Sequence, residues 1–549
     1  MEIQTINKLE QEALKKSGTD FTRLGFALFF MIGVLTFSLL NNGGISNNMF
    51  LAVAALIGAY MAMNIGANDV ANNVGPAVGS KALTMTTAIV IAAIFEASGA
   101  MIAGGEVVET IKKGIIDIAA FGGHADTFIW AMMAALLAAA LWLNFATMMR
   151  APVSTTHSIV GGVMGAGIAA AGFGIVNWAT MGKIAASWVI SPVLGGVIAA
   201  LFLYSIKKSI VFQEDKVAAA KKWVPLFVAI MSWAFVTYLT LKGLKKIWPH
   251  VVEALNMIPL VSMEMTKKPT LMTALTLGFI ISVIVYALVK NRINSKTTTL
   301  ENSRASVNTM FTIPLIFSAA LLSFAHGAND VANAVGPLAA INDAIMSGGV
   351  SSKASIPLWV MGVGALGIAI GLALYGPKLI KTVGSEITEL DQIRAFSIAM
   401  AASITVIIAS QLGLPVSSTH IAIGGVFGVG FLREWLHVVD DKGNTVEEDQ
   451  LIIKDEQENK EAYTAELKTL EEKSNKEKED YTRIVELYKL IANEKRIIKS
   501  TKKNIKKLKK VEYVRRDAIK KIVAAWVITV PAAAVLAGIL FFMIKGIMS

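Results

Sequence analysis

An Asn-Asp motif occurs twice in the chain, each time within an otherwise apolar stretch. Residues 66–76 read GANDVANNVGP, and residues 327–337 read GANDVANAVGP. An ionised carboxylate inside a membrane costs roughly 2.5–3.5 kcal/mol on insertion scales, so each aspartate needs a compensating partner. The neighbouring sequence offers no arginine, whereas carboxylate, amide and main-chain oxygens suit a hard cation such as Na⁺. Simple capping of adjacent helices is the alternative.

Glycine and proline bracket both motifs and predict a break in each helix. Gly66 and Pro76 flank the first motif, and Gly327 and Pro337 flank the second. Broken helices expose main-chain groups, which a membrane tolerates only where protein or a cavity satisfies them.

A hydroxyl-rich motif is also duplicated. Residues 152–163 read PVSTTHSIVGGV, and residues 415–426 read PVSSTHIAIGGV. Hydroxyls clustered at a helix N-terminus can donate to an anion, with the positive end of the helix dipole behind them. The pattern predicts re-entrant hairpins whose tips hold an oxyanion, with ordinary Ser/Thr capping as the alternative. His157 and His420 are either proton carriers or structural hydrogen-bonding groups.

Glu96 is a third acid in an apolar stretch, and it has no evident duplicate. Three roles remain open for it: binding a cation, carrying a proton, or pairing with Lys81.

Composition indicates that these motifs are positioned by membrane-spanning helices. Hydrophobic residues make up 54% of the 549-residue chain and charged residues only 17%, against about 25% in soluble proteins. A span needs about 20 apolar residues. We therefore predict an all-α polytopic membrane protein of about 11–12 transmembrane helices, with candidate spans at 22–41, 49–65, 84–104, 128–149, 178–204, 222–242, 270–290, 311–326, 357–376, 393–413 and 519–545.

Charge and cysteine content narrow the function classes. The chain has no cysteine, which excludes disulfides and zinc-thiolate sites. The net charge of +11 is attributed to cytoplasmic loops, not to nucleic-acid binding. No Walker A motif is present, so a direct ATP-driven pump is not expected.

The two motif pairs recur at offsets of 261 and 263 residues, so whole halves of the chain repeat. The basic stretches 207–222 and 290–304 are expected in the cytoplasm. The uncharged loop 172–177 corresponds to the charged insertion in the second half, as inverted-topology repeats predict. We divide the chain into an N-terminus with the first helix (1–45), repeat 1 (46–206), a linker with two helices (207–305), repeat 2 (306–432), the insertion (433–515) and the last helix of repeat 2 (516–549).

The insertion is a different kind of sequence. Residues 495–510 contain nine basic residues and no acid, and Ile484, Ile491, Ile498 and Ile505 recur every seven residues. This partial coiled-coil seam predicts a helical hairpin or a long helix outside the membrane. We expect a regulatory or assembly role, with a cytoplasmic partner, rather than a transport role; a solvated helix without a partner is the alternative.

With both motifs duplicated, the chain resembles the inorganic phosphate transporter (PiT) family of sodium- or proton-coupled symporters over about 45–432 and 516–549. The resemblance implies two inverted repeats with broken helices, re-entrant hairpins and a shared mid-membrane site. It also makes a homodimer plausible. The implied cation (Na⁺) ligands are Asn68, Asp69, Asn329 and Asp330. The implied phosphate ligands are Asn72, Ser154, Thr155, Thr156, Asn333, Ser417, Ser418 and Thr419.

The resulting prediction is a secondary transporter of the inner membrane that imports phosphate with Na⁺ by alternating access, has a cytoplasmic N-terminus and needs no cofactor. Glu96, His157 and His420 are candidate coupling residues. Three alternatives remain: proton coupling, a sulfate permease of the same fold, and a membrane-embedded phosphoester enzyme. The sequence departs from the family pattern at Lys81 and at AAIND, 339–343.

Overall fold

The computed structural model describes residues 2–41, 48–121, 124–149, 151, 153–245, 247–258, 264–296, 300–347, 356–385, 390–436, 443–473, 477–508 and 516–548. These residues form helices, short 3₁₀ and π turns, and one isolated β-bridge between Ile116 and Val176. The helices are α1 (Glu2–Asn41), α2 (Asn48–Asn68), α3 (Ala71–Gly79), α4 (Met85–Ala103), α5 (Gly105–Lys113), α6 (Ala125–Met148), α7 (Thr155–Ala171), α8 (Trp178–Ile206), α9 (Lys216–Tyr238), α10 (Trp248–Asn256), α11 (Leu271–Lys296), α12 (Arg304–Met310), α13 (Thr312–Ser347), α14 (Leu358–Ser385), α15 (Gln392–Gln411), α16 (Ser418–Leu436), α17 (Gly443–Glu471), α18 (Lys478–Leu508) and α19 (Arg516–Met548).

Eleven segments of the described chain are long and apolar enough to cross a membrane. They are Phe21–Asn41, Asn48–Gly79, Met85–Ala103, Ala125–Met148, Trp178–Val211, Lys216–Gly243, Leu271–Asn294, Thr312–Ser347, Leu358–Lys381, Gln392–Gln411 and Val523–Met548. Each of the eleven predicted stretches overlaps one of them. The predicted all-α polytopic fold is confirmed.

The helices that carry the two Asn-Asp motifs run in opposite directions. Near one end of the contact, a Cβ placed on Gly58 of α2 would lie 3.1 Å from the Leu338 side chain of α13. Further along, carboxylate oxygens of Asp69 and Asp330 lie within 4.8 Å of each other. Residue numbers therefore rise along α2 while they fall along α13, as expected for inverted repeats.

Each hydroxyl-rich motif forms the tip of an antiparallel helical hairpin. In the first hairpin, Gly162 of α7 lies against the main chain of Ala135 in α6, with 2.8 Å from a placed Cβ to the Ala135 oxygen. In the second, Gly425 of α16 lies against Ile398 of α15 at 3.3 Å. The residue numbers of both contacting partners differ by 263 between the two hairpins, so the helices of the two hairpins pack in the same register.

Each repeat contributes one helix that packs against the hairpin of the other repeat. Helix α7 of the first repeat packs on α19, where a Cβ on Gly165 would lie 2.2 Å from the Ala534 oxygen. Helix α16 of the second repeat packs on α8, where a Cβ on Gly428 would lie 2.0 Å from the Gly196 oxygen. Each hairpin is thus held by a helix from the other half of the chain, which fixes both tips in one place.

The predicted helix break is found in only one motif. The first motif turns at residues 69–70, between α2 and α3, whereas α13 runs without interruption through the second motif. The predicted break in the second half is therefore wrong. Pro337 lies inside α13. Proline removes one N–H donor and crowds the carbonyl one turn earlier, but the helix is buried on all sides along the motif, and this packing keeps it continuous.

The chain divides into two compact units, residues Met1–Val429 with Arg516–Ser549, and residues Gly430–Arg515. In the second unit, α17 and α18 form a hairpin around buried Leu467, Leu487 and Ile491. Arg483 donates two hydrogen bonds to the Glu466 carboxylate, at 2.8 and 3.1 Å, and these lower the pKa of Glu466.

The helical hairpin is one of the two forms that the sequence predicted for the insertion. Ile484 and Ile491 of the heptad pattern belong to its seam. The side chain of Ile505 and the residues 509–515 lie outside the described part, so the role of the full basic stretch stays a prediction.

We expect Gly428→Ala to destabilise the protein, because its Cβ would overlap the Gly196 main chain and force α16 away from α8. Alanine normally favours a helix over glycine by about 1 kcal/mol, so a loss of stability would report the contact. Gly182→Ala in α8, which has no atom within 4 Å of a placed Cβ, is the control and should be neutral or stabilising. Thermal unfolding in detergent measures both; equal effects would contradict the packing.

Candidate transport site

Asp69 and Asp330 lie together in the interior, each at most 1% exposed. The Thr155 hydroxyl donates to Asp69 Oδ2 at 2.6 Å and lies 3.5 Å from Asp330 Oδ2. From the second hairpin, Thr419 donates to Asp69 Oδ1 at 3.0 Å and Ser418 donates to Asp330 Oδ2 at 3.1 Å. The hydroxyls of both hairpin tips therefore converge on one carboxylate pair.

The second asparagine of each motif joins the two halves. Asn72 donates to the Thr419 hydroxyl at 2.9 Å, and Asn333 donates to the Thr156 hydroxyl at 3.2 Å. Asn333 also donates to Thr155 at 3.0 Å. All three bonds are buried, and each crosses from one repeat to the other. The predicted phosphate ligands on the two halves are thus brought together.

The first asparagine of each motif bonds to the helix that leads into a hairpin tip, and the Asn329 amide also reaches Asp330 Oδ1 at 3.1 Å. Asn68 donates to the Thr147 hydroxyl at 2.9 Å, and the Asn329 amide forms a 3.0 Å hydrogen bond with the Ser410 hydroxyl. Thr147 and Ser410 end the helices that lead into the tips. The Asn68 Oδ1 atom is buried and has no hydrogen-bond partner within the described chain.

Ser154 and Ser417 act as helix caps. The Ser154 hydroxyl accepts from the His157 N–H at 3.1 Å, and the Ser417 hydroxyl accepts from the His420 N–H at 3.2 Å. These are N-cap bonds at the first turns of α7 and the α16 hairpin arm. Both hydroxyls are engaged with their own main chain, so their part in holding phosphate stays a prediction.

His157 and His420 belong to a cluster of four aromatic rings. The His157 ring lies 3.8 Å from the Trp188 ring and 4.4 Å from the His420 ring, and His420 lies 3.6 Å from Trp526. Neither imidazole has a hydrogen-bond partner for its nitrogens in the described part of the chain. The structural or coupling role of these rings therefore stays a prediction.

Glu96 belongs to a buried polar network next to Asp330. Asn73 donates to Glu96 Oε1 at 2.7 Å, and His326 Nδ1 lies 2.7 Å from Glu96 Oε2. The other ring nitrogen of His326 lies 3.0 Å from Asp330 Oδ2. The alternative pairing of Glu96 with Lys81 does not occur, since Lys81 is exposed. Sequence reasoning missed His326 and Asn73.

This network has no equivalent in the other half. A Cβ on Gly327 would lie 2.1 Å from the Glu96 oxygen, and a Cβ on Gly66 would lie 1.9 Å from the Ile368 oxygen. The same helix crossing therefore occurs twice, with Ile368 in the place of Glu96. When the two motifs are superposed, Ile65 corresponds to His326.

Ala334 corresponds to Asn73, and this is the one difference between the two 11-residue motifs. That mismatch is the sequence signal that could have identified the network. The asymmetry means that Asp69 and Asp330 have different surroundings despite the repeated framework.

The pair of carboxylates fits a hard cation. Oxygens predominate around it, from aspartate, threonine and serine side chains, and the Oδ1 atoms of Asn68 and Asn72 are buried without hydrogen-bond partners among the described residues. Carboxylate, hydroxyl and amide oxygens are hard ligands. Asp69, His326 and Asp330 each place one ligand atom within 4.8 Å of the others.

Comparison with known proteins decides the family. The model of a family described as the phosphate transporter family matches residues 65–537. The chain belongs to this family. Membership makes it a multi-pass phosphate transporter and not an enzyme, so the phosphoester-enzyme alternative is set aside.

Similar proteins from several organisms are also named as phosphate permeases or phosphate transporters. A candidate phosphate permease of Helicobacter pylori strain J99 is 49% identical over 98% of both chains, a match too long to omit the charged insertion. A candidate phosphate permease of Thermococcus kodakarensis is 38% identical over 70% of this chain and 89% of its own. A solved structure of a protein named the sodium-dependent phosphate transporter is 30% identical, with a TM-score of 0.68, and covers 90% of this chain and 99% of its own.

A double-mutant cycle tests the asymmetric network. We expect Glu96→Ile and His326→Ile to destabilise the protein by about 3–5 kcal/mol each, because each breaks the buried Glu96–His326 pair by removing one member. The double variant should be much more stable than the sum of the two losses, since Ile65 and Ile368 already pack at the equivalent crossing. Thermal unfolding of the purified variants measures this coupling. Additive losses would show that the two side chains act independently.

Proposed function

We propose that the protein imports inorganic phosphate together with Na⁺, by alternating access across the inner membrane. The observation that carries this proposal is the buried pair Asp69 and Asp330, held by hydroxyls from both hairpin tips. Phosphate transport follows from the family; the coupling ion and the cycle are inferred from the chemistry of the site.

The carboxylate pair explains why a cation must accompany the anion. Two unit charges 4.8 Å apart repel by about 3.5 kcal/mol at an effective dielectric constant of 20, and phosphate adds further negative charge. His326 forms an ion pair with Asp330, but no ion pair to Asp69 occurs among the described residues. A cation that enters with phosphate would neutralise Asp69 and allow the site to close.

Sodium fits this role better than a proton. The related transporter of known structure is named as sodium-dependent. The oxygens of Asn68, Asn72 and Asp69 can serve a metal ion, whereas a proton needs only one basic atom. Each net positive charge moved inward gains about 2.3 kcal/mol per 100 mV of membrane potential, which can concentrate phosphate without ATP.

The hairpin tips are suited to phosphate. The N-termini of α7 and α16 approach the same carboxylates, as the bonds from Thr155 and Thr419 to Asp69 require. Helix N-termini present main-chain N–H groups and the positive end of the dipole to an anion. The hydroxyls of Thr155, Ser418 and Thr419 donate to the carboxylates, and that of Thr156 donates to the Val416 carbonyl oxygen. All four can turn to the phosphate oxygens once a cation neutralises Asp69.

Orientation follows from charge. If both hairpins are re-entrant, the spans place 207–222, 290–304 and the charged insertion on one side, together with the N-terminus. Cytoplasmic loops carry excess Lys and Arg, so this side is assigned to the cytoplasm. A homodimer and a cytoplasmic regulator bound to the α17–α18 hairpin complete the proposal.

The experiment is uptake of radiolabelled phosphate into proteoliposomes, with Na⁺ and pH gradients imposed separately. An inward Na⁺ gradient should drive accumulation at least tenfold above equilibrium exchange. A pH gradient alone should not drive it. Arsenate should compete, and excess sulfate should compete poorly.

Two outcomes would contradict the proposal. Uptake that ignores Na⁺ but follows the pH gradient would assign the coupling to protons. Equal inhibition by sulfate and arsenate would make the protein a general oxyanion permease. Liposomes without protein provide the control for leakage.

A further inference from the structure

A cavity of about 630 Å³ with a mixed polar and apolar lining lies beside the transport site, between α1, α2, α6 and α14. Its volume is typical of small-molecule pockets, which span about 300–1,000 Å³. Arg23 of α1 and Lys378 of α14 line it, together with Asn64, Asn144 and Thr147. Both cations belong to candidate membrane spans, where ionisable side chains are rare and usually functional.

The cavity reaches the site through one hydrogen bond. Thr147, in its wall, accepts from the Asn68 amide at 2.9 Å, and Asp69 is the next residue. Asn64 lies one helical turn before Asn68 on α2 and also lines the cavity. The Asn68–Thr147 contact therefore connects the wall of the cavity to the segment that carries Asp69.

Both cations lie at the same end of the fold. Arg23 is near the start of its span, and Lys378 is near the end of its own. If the first hairpin is re-entrant, α2 belongs to the second crossing and α14 to the eighth, so the two helices run in the same direction. The end of α14 is therefore on the side toward which α2 runs, which the proposed orientation makes the cytoplasmic side.

An anion leaving the site needs such a place. Asp69 and Asp330 repel phosphate as soon as the accompanying cations depart, and the nearest sequence around the motifs contains no arginine. Cations lining a cleft with low-dielectric walls focus the field and raise the local concentration of an anion. Arg23 and Lys378 supply this field from helices that sequence reasoning did not connect with the site.

We propose that this cavity binds a phosphate group and serves as the cytoplasmic vestibule of the transport site. The proposal rests on phosphate transport as proposed above. Two sources share the chemistry: free phosphate passing between the site and the cytoplasm, and the headgroup of an inner-leaflet phospholipid. The competing explanation is that both residues only follow the excess of cations at the cytoplasmic end of spans.

The test compares Arg23→Gln and Lys378→Gln with the wild type in inside-out and right-side-out membrane vesicles. For free phosphate, KM at the cytoplasmic face should rise at least threefold in each variant, while KM at the outer face changes less than twofold. Arg23→Lys keeps the charge and should stay near the wild-type value.

Lys290→Gln is the matched control, because Lys290 lies at the cytoplasmic end of α11 and does not line the cavity. An equal KM shift in Lys290→Gln would overturn the vestibule, since surface charge alone would then explain the effect. A shift of similar size at both faces would overturn it as well, because that result indicates damage to the shared site.

Native mass spectrometry distinguishes the second source. Phospholipid retained by the wild type and lost in both glutamine variants, with KM unchanged, would assign the cavity to a lipid headgroup. Unchanged KM together with unchanged lipid retention would overturn the proposal. If wild-type vesicles took up no phosphate, the proposed function would fail, and the lipid measurement would still decide whether the cavity binds a phosphate group.

Discussion

The structure depends on the compensation of two carboxylates that are buried side by side within membrane-spanning helices. Asp69 and Asp330 cannot both be charged in apolar surroundings without compensation. The fold supplies hydroxyls from two hairpins, and it can place those hydroxyls there only because each hairpin is held by a helix of the opposite repeat. Glycines such as Gly165 and Gly428 make that exchange possible, since a side chain at either position would overlap the partner main chain.

The two halves repeat the framework but not the charges. Thr155 on Asp69 corresponds to Ser418 on Asp330, and Asn72 on Thr419 corresponds to Asn333 on Thr156. The Glu96–His326 pair exists on one side only. Asp330 therefore has a histidine partner, whereas no ion pair to Asp69 occurs in the described part of the chain.

The sequence predicted the spans, the two hairpins and the meeting of the Asn-Asp and hydroxyl motifs, because long apolar runs and duplicated motifs are signals that persist along the chain. It did not predict that α13 stays continuous through its motif, since packing around Pro337 decides that question. It also missed His326, whose partner Glu96 is 230 residues away. Such a contact depends on which helices cross. The Asn73/Ala334 mismatch is visible in the sequence, but only the structure shows that Asn73 donates to Glu96.

We propose that both aspartates belong to one site in which cation and phosphate bind together. The most direct measurement is equilibrium binding of radiolabelled phosphate to purified Asp69→Asn and Asp330→Asn variants, with and without Na⁺. Asparagine keeps the size of the side chain and removes one charge. Each variant should fold. Na⁺ should raise the phosphate affinity of the wild type at least tenfold, about 1.4 kcal/mol, but that of each variant by no more than twofold. A wild-type response to Na⁺ in either variant would contradict it.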